Sequence, residues 1–137
     1  LSEDSDAFAA FKVPKEPRPV LVSSTDALIL HRRDVKGLLD PDDLGRKAFG
    51  DQGMTTIGGI SDLPSHAIVD RGRLIGLWEY DPDASEIVWS AWVKGKAVSD
   101  AVTRTEAFVR DQLGDARSFS LDSPKSRAPR IAALRKG

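Results

Sequence analysis

One stretch decides the fold: Ala67-Ile-Val-Asp-Arg-Gly-Arg-Leu-Ile-Gly-Leu-Trp-Glu-Tyr-Asp-Pro-Asp-Ala-Ser-Glu-Ile-Val-Trp-Ser-Ala-Trp-Val93. Two turn signals divide it into three apolar runs of strand length. The first signal contains Gly72, which can adopt positive φ, and the second contains Pro82, which suits the first corner of a turn. The stretch therefore predicts a three-stranded antiparallel meander at about 66–70, 73–80 and 86–93.

The segments around this meander predict helices packed on the sheet. Apolar residues recur at helical spacing over 97–113, and Gly114 is expected to stop that helix. A last helix is predicted to follow a cap at Asp122 or Ser123, with Pro124 near its start and a break at Pro129. Short strands are predicted at 20–22 and 118–121. The expected fold class is α+β, an antiparallel sheet (meander at about 66–93) with helices packed on it.

The remaining segments are less regular. Residues 27–31 fit either a strand or a helical turn, and 35–49 predict short helical pieces with Asp40 as a cap and Pro41 at the first helical position. Residues 50–62 contain four glycines and predict a mobile loop or an irregular sheet edge, without a phosphate-binding pattern.

The chain is expected to be the C-terminal part of a longer protein. It begins with Leu1, and residues 1–19 combine a short helical segment with a proline-rich connector. We therefore expect 1–19 to be a linker or arm from an upstream domain, and 20–137 to be a single α+β C-terminal domain. The 137 residues contain no cysteine, no long apolar run and no signal-peptide pattern, which fits a cytoplasmic protein without a membrane partner.

No pattern in the sequence indicates catalysis by this chain itself. His31 and His66 lie 35 positions apart without a recognised ligand spacing, so no metal site is expected. The paired carboxylates at Asp42-Asp43 and Asp81/Asp83 lie in turns, where aspartate commonly bonds its own backbone. No cofactor and no catalytic residue are predicted, and whether a longer parent protein is an enzyme is left open.

The basic residues are the main candidates for a binding function. The 20 basic and 21 acidic residues give a net charge of −1, so only local patches can indicate a nucleic-acid partner. The candidates for phosphate contact are the basic residues at predicted loop tips and strand ends, namely Arg32, Arg33, Arg71, Arg73, Lys94 and Lys96. Residues 125–137 add five basic residues and no acid. The alternative is that these side chains are simply solvated.

The three tryptophans of the meander have two interpretations. Aromatic side chains beside basic residues can stack on unpaired bases. Large aromatics on a central sheet more often belong to the core, and we predict that role for Trp78, Trp89 and Trp92.

Two segments resemble one family. The stretch Ser24-Thr-Asp-Ala-Leu-Ile-Leu-His-Arg-Arg33 is similar to the Asp-x-Leu-(Ile/Leu)-x-x-Arg-x segment of the AlkZ/YcaQ-like family of winged-helix DNA-binding proteins. His66-Ala-Ile-Val-Asp-Arg-Gly-Arg-Leu-Ile-Gly-Leu-Trp78 resembles the strand–turn–strand around that family's Arg-Gly-Arg-Leu-Val-Gly core. Their order and spacing also agree.

The resemblance implies a C-terminal, sheet-rich domain that follows tandem winged-helix units and helps form a basic surface for duplex DNA. Characterised members are DNA glycosylases of DNA repair that use an upstream Gln-x-Gln motif. Here Gln52 and Gln112 are isolated, so no residue inherits a catalytic role. By resemblance, Arg32, Arg33, Arg71 and Arg73 contact phosphates or pair with Asp26 and Asp70.

Two alternatives stay open. The domain could be a structural or protein-interaction module without nucleic-acid contact, or it could enclose a small-molecule pocket between sheet and helix.

Overall fold

The computed structural model describes residues 2–30 and 34–137. The described helices are α1 Ser2–Ala10, α2 Ala27–Leu30, α3 Lys96–Phe108 and α4 Pro124–Leu134. The strands are β1 Pro19–Val22, β2 Lys47–Gly50, β3 Gly53–Thr56, β4 His66–Asp70, β5 Arg73–Asp81 and β6 Glu86–Ala91. The α+β fold class is therefore confirmed, and so are the three strands of the meander.

The main sheet has four antiparallel strands in the order β1-β4-β5-β6. Its central hairpin turns at Arg71 and Gly72, whose φ angles of 49° and 82° are those of a two-residue type I′ turn. This turn matches the right-handed twist of the flanking strands. The glycine predicted to permit the turn thus lies where positive φ is needed.

Both faces of the sheet are covered. On one face, Ile68, Trp78, Tyr80 and Ile87 pack against Val98 and Val102 of α3. On the other face, Ala67, Val69 and Leu77 pack against short helical turns, and their partners there are Ile29, Val35, Leu38, Ile57 and Leu63. Each fully buried Val, Leu or Ile side chain of these two sets contributes about 1.5–3 kcal/mol through removal of apolar surface from water.

A bulge changes the side-chain alternation of β5. Ile68 pairs with Gly76 and Val69 pairs with Leu74, so one extra residue of β5 lies between these pairs. Strict alternation predicts that Leu74 shares a face with Trp78, and this prediction is wrong. Leu74 packs with the core that contains Leu77, whereas Ile75 packs with the core that contains Trp78.

Gly76 lies where β6 approaches most closely. A Cβ added at this position would be 2.6 Å from the carbonyl oxygen of Ser90 and 2.9 Å from Cα of Ala91. The absence of a side chain at Gly76 therefore allows the backbone of β6 to approach this closely.

Three local predictions need correction. Residues 118–121 form a turn rather than a strand, because the Ser118 N–H donates to Asp122 Oδ2 at 3.1 Å instead of to a neighbouring strand. The predicted loop 50–62 includes the second strand of a hairpin, β2–β3, followed by a 3₁₀ turn. Pro129 lies inside α4 without ending it. Ser123 caps this helix in a capping box, as one of the two predicted caps.

Within the described ranges, none of the helices combines the length and the apolar character that crossing a membrane requires.

Candidate nucleic-acid interface

The two arginines of the central hairpin tip are engaged by carboxylates of the same chain. Arg71 donates from Nε to Asp70 Oδ2 at 3.0 Å and from Nη1 to the carbonyl oxygen of Lys15 at 2.7 Å. Arg73 forms an ion pair with Asp40. The pairing of Arg71 with Asp70 is one of the two roles that the resemblance implied. Arg32 and Arg33 lie outside the described residues.

The two lysines after β6 differ in their surroundings. Lys96 pairs with Asp100 one helical turn along α3, with Nζ 2.7 Å from Oδ2, and both side chains are exposed. Such exposed pairs contribute little to stability. Lys94 forms no ion pair within the described part of the chain, and its side chain lines a groove.

This groove lies between the β2–β3 hairpin, the end of β6 and the C-terminal turns of α4, and it encloses about 620 Å³. The cationic side chains on its lining are Arg46, Lys47, Lys94, Arg130 and Lys136. No carboxylate side chain lines it among the described residues. We call it the basic groove. It gathers positive charge from three distant segments in a chain of net charge −1.

The floor of the basic groove is apolar and includes Trp92. The guanidinium of Arg46 lies 5.6 Å from the centre of the Trp92 ring, a cation–π distance. Arg46 also pairs with Asp43, so part of its charge is already compensated. Trp92 packs partly against the core, which agrees with the role predicted for it.

The other two tryptophans have different outcomes. Trp78 is buried and donates from Nε1 to the carbonyl oxygen of Ala67 at 3.1 Å, so its predicted place in the core is confirmed. Trp89 remains 36% exposed, and the prediction that it is a core residue is wrong. The reason is its position on β6, which is the last strand of the sheet.

Arg130, which lines the groove, belongs to a buried network of charges. Arg130 is 5% exposed and donates to Glu79, which is fully buried. Its Nη2 also donates to Asp122 Oδ2 at 2.9 Å. Arg127, fully buried, donates to both oxygens of Asp115 at 2.7 and 3.0 Å. Each buried guanidinium thus faces carboxylates, as burial of charge requires.

Two carboxyl groups of this network are shifted in opposite directions. Burial raises the pKa of Glu79, and the hydrogen bond from Arg130 opposes that rise. Burial also acts to raise the pKa of Asp122, but hydrogen bonds from Ser126, the Ser118 N–H and Arg130 together hold it below its ordinary value. The network therefore keeps Asp122 ionised.

The network explains most of the basic run at 125–137. Arg127 and Arg130 are internal, and Arg135 donates to Asp81 and Glu86, each at 2.8 Å. Only Lys125 and Lys136 of this run are left without an ion pair among the described residues. Helical spacing could have predicted the internal position of Arg127 and Arg130, because both lie on the same side of α4 as Ile131 and Leu134.

The described residues contain no group of three or more histidine, aspartate or glutamate side chains arranged to hold a metal ion. Comparison with known proteins identifies no relative of this chain. No protein-family model, no curated protein and no solved structure matches the chain.

Proposed function

We propose that this chain is a non-catalytic domain of a DNA-binding, DNA glycosylase-like protein, and that it contributes to a surface facing duplex DNA. One observation carries the proposal: the basic groove brings together cations from three segments without a carboxylate side chain on its described lining. Lysine and arginine side chains on one surface are what contacts to backbone phosphates require. The resemblance to the AlkZ/YcaQ-like family supports the same partner, with winged-helix domains upstream in the same chain and a place in the cytoplasm.

The groove is a better phosphate site than the hairpin tip. Lys47, Lys94 and Lys136 have no ion pair to break within the described structure, so their charge is free to meet a phosphate. Arg71 and Arg73 must first give up Asp70 and Asp40. We therefore assign the principal contact to the three lysines, and a secondary one to the tip.

The test is binding to duplex DNA as a function of salt. Fluorescence anisotropy with two unrelated labelled duplexes should show weak binding of similar strength to both, decreasing steeply between about 50 and 200 mM salt. Replacing Lys47, Lys94 and Lys136 together by glutamine should reduce the slope of log K against log salt. The expected reduction is about 0.9 for each phosphate that the variant no longer neutralises.

A matched control carries the same change of charge elsewhere. Lys12, Lys36 and Lys125 are exposed and do not line the groove, so replacing these three by glutamine should leave most of the binding intact. Arg71→Ala with Arg73→Ala should weaken binding to both duplexes alike, by less than the groove variant does. Undetectable binding at low salt, or equal weakening in the groove and control variants, would refute the proposal.

A second candidate function is a structural or protein-interaction role. The N-terminal segment leaves Phe8, Phe11 and Val13 exposed by 85%, 67% and 60%, which is unusual for large apolar side chains that follow one another so closely. Sedimentation velocity over a range of concentrations tests self-association through this segment. Phe8→Ser with Phe11→Ser should abolish association if the segment mediates it, and DNA binding should then be unaffected.

A further inference from the structure

A second cavity, of about 530 Å³, lies on the opposite face of the sheet from the basic groove. It opens between the strands β1, β4 and β5 and the C-terminal end of α3. Its apolar lining consists of Leu21, Trp78, Phe108, Val109, Leu113 and Ala116. Its volume is in the range of sites that bind small molecules. We call it the sheet–helix cavity.

The floor of this cavity offers an apolar surface. His66 stacks on Trp78 with ring centres 4.3 Å apart. Its Nδ1 accepts from the Ser24 N–H at 3.0 Å, and its Nε2 donates to the carbonyl oxygen of Ala116 at 3.5 Å. Both ring nitrogens of His66 are thus used by the protein, as is Nε1 of Trp78. Only a small part of the two rings reaches the cavity, since His66 is 1% and Trp78 4% exposed, and neither ring has a free hydrogen-bonding group.

The mouth of the cavity is shaped by a distorted helix end. After α3 the chain continues as a π-turn over Val109–Leu113, closed by a 2.7 Å bond from the Gly114 N–H to the carbonyl oxygen of Val109. The turn ends at Gly114, whose φ of 73° is the left-handed conformation that commonly terminates helices. On either side of the buried Val109, Phe108 and Leu113 line the cavity yet remain 55% and 58% exposed. A bound apolar group would cover both.

The charged lining of the cavity has an excess of positive charge. Arg104 forms no ion pair among the described residues. Arg117 donates from Nε to Asp115 Oδ2 at 3.0 Å, but both oxygens of Asp115 also accept from the buried Arg127. The single carboxylate of the lining is therefore already matched, and one guanidinium remains free. A guanidinium binds a carboxylate with two parallel hydrogen bonds.

We propose that the sheet–helix cavity binds a small amphipathic carboxylate, such as a medium-chain aliphatic acid. Its apolar body lies between Phe108 and Leu113, over the small exposed part of Trp78, and its carboxylate is held by Arg104, with Arg117 beside it. This proposal does not depend on DNA binding, because none of these residues lines the basic groove.

The test is calorimetric titration of the whole chain with decanoate below its micelle concentration, with decanol as the uncharged counterpart. Decanoate should bind at one site per chain, at least fivefold more tightly than decanol. Arg104→Gln should remove that preference, and Phe108→Asp should abolish binding of both compounds. Both positions are exposed, so circular dichroism should show native spectra for each variant.

Two controls separate this proposal from its competitors. Lys94→Gln in the basic groove should leave decanoate binding unchanged while it weakens DNA binding. Equal affinity for decanol and decanoate, decanoate binding that survives Phe108→Asp, or no saturable heat would overturn the proposal. Self-association that Phe108→Asp abolishes, in the absence of decanoate binding, would identify the occupant as a second copy of the chain and overturn it as well.

Discussion

Arg130 donates from Nε to Glu79 Oε1 across 2.6 Å in the interior, where α4 crosses β5. Neither side chain reaches solvent to any useful extent, since Glu79 is fully buried and Arg130 is 5% exposed. Asp122 accepts two further hydrogen bonds from the same guanidinium. This pair attaches the last helix of the domain to its central strand.

The first prediction concerns this pair. Glu79→Gln replaces the charged acceptor of Arg130 by a neutral one, while Asp122 still compensates the guanidinium, so it should lower the free energy of unfolding by about 1.5–3 kcal/mol. Urea denaturation provides the measurement. Lys96→Ala breaks the exposed pair with Asp100 and should cost less than about 1 kcal/mol. Similar losses of stability in the two variants would show that the buried pair has no special role.

The second prediction concerns pH. Burial lowers the pKa of His66 to about 4, whereas the unfolded chain takes up this proton near its ordinary value of 6.5. The stabilisation from neutral His66 is therefore complete above about pH 6.5 and is lost as the pH falls toward 4. Between about pH 7 and pH 4.5 the loss should reach about 2–3 kcal/mol.

The control for the pH prediction is His66→Asn, whose side-chain oxygen can still accept from the Ser24 N–H but does not titrate. The stability of this variant should be lower at pH 7 and should fall less between pH 7 and pH 4.5. Glu79 and the other carboxyl groups are common to both proteins, so the difference between the two curves reports His66. Parallel curves would contradict the assignment.

The third prediction concerns the close approach of β5 and β6. Gly76→Ala forces a methyl group against the backbone at Ser90 and Ala91 and should cost about 1–3 kcal/mol, the usual range for overpacking. Gly45→Ala is the matched control, because a Cβ there would meet no atom within 4 Å. Thermal denaturation of the two variants should differ clearly, and equal melting temperatures would rule out the close contact.

The fourth prediction concerns the N-terminal segment. Asp70 Oδ1 accepts from the Arg18 N–H at 2.7 Å, and its other oxygen holds Arg71, which in turn binds the carbonyl oxygen of Lys15. Asp70→Ala removes both attachments, so trypsin should cleave after Lys15 several times faster. Asp70→Asn keeps an acceptor for the Arg18 N–H and should have an intermediate effect. Unchanged cleavage would show that Asp70 does not hold this segment.

Sequence patterns predicted the elements whose signals are local. The type I′ turn needs positive φ at two successive residues, and the presence of Gly72 indicates such a turn. The capping box of α4 is indicated by Ser123 and the residues that follow it. Periodicity similarly located α3. These features depend on neighbours within a few positions.

Features that depend on distant partners were missed. The bulge in β5 arises where β4 pairs with it, and nothing in the local alternation around Leu74 signals the shift. Likewise, the sequence around Arg127 and Arg130 resembles a basic tail. Only the folded structure places Asp115, Glu79 and Asp122 next to these arginines. The basic groove needs segments near residues 46, 94 and 136 to meet, which no spacing in the sequence indicates.

The attachment of α4 to β5 also has a consequence for how the domain is made. Glu79 leaves the ribosome 51 residues ahead of Arg130. Until that arginine emerges, burying the central strand would leave a carboxylate without its counter-charge in the interior. We therefore expect the nascent meander to remain open to chaperones and proteases, and the domain to close only when its last helix is synthesised.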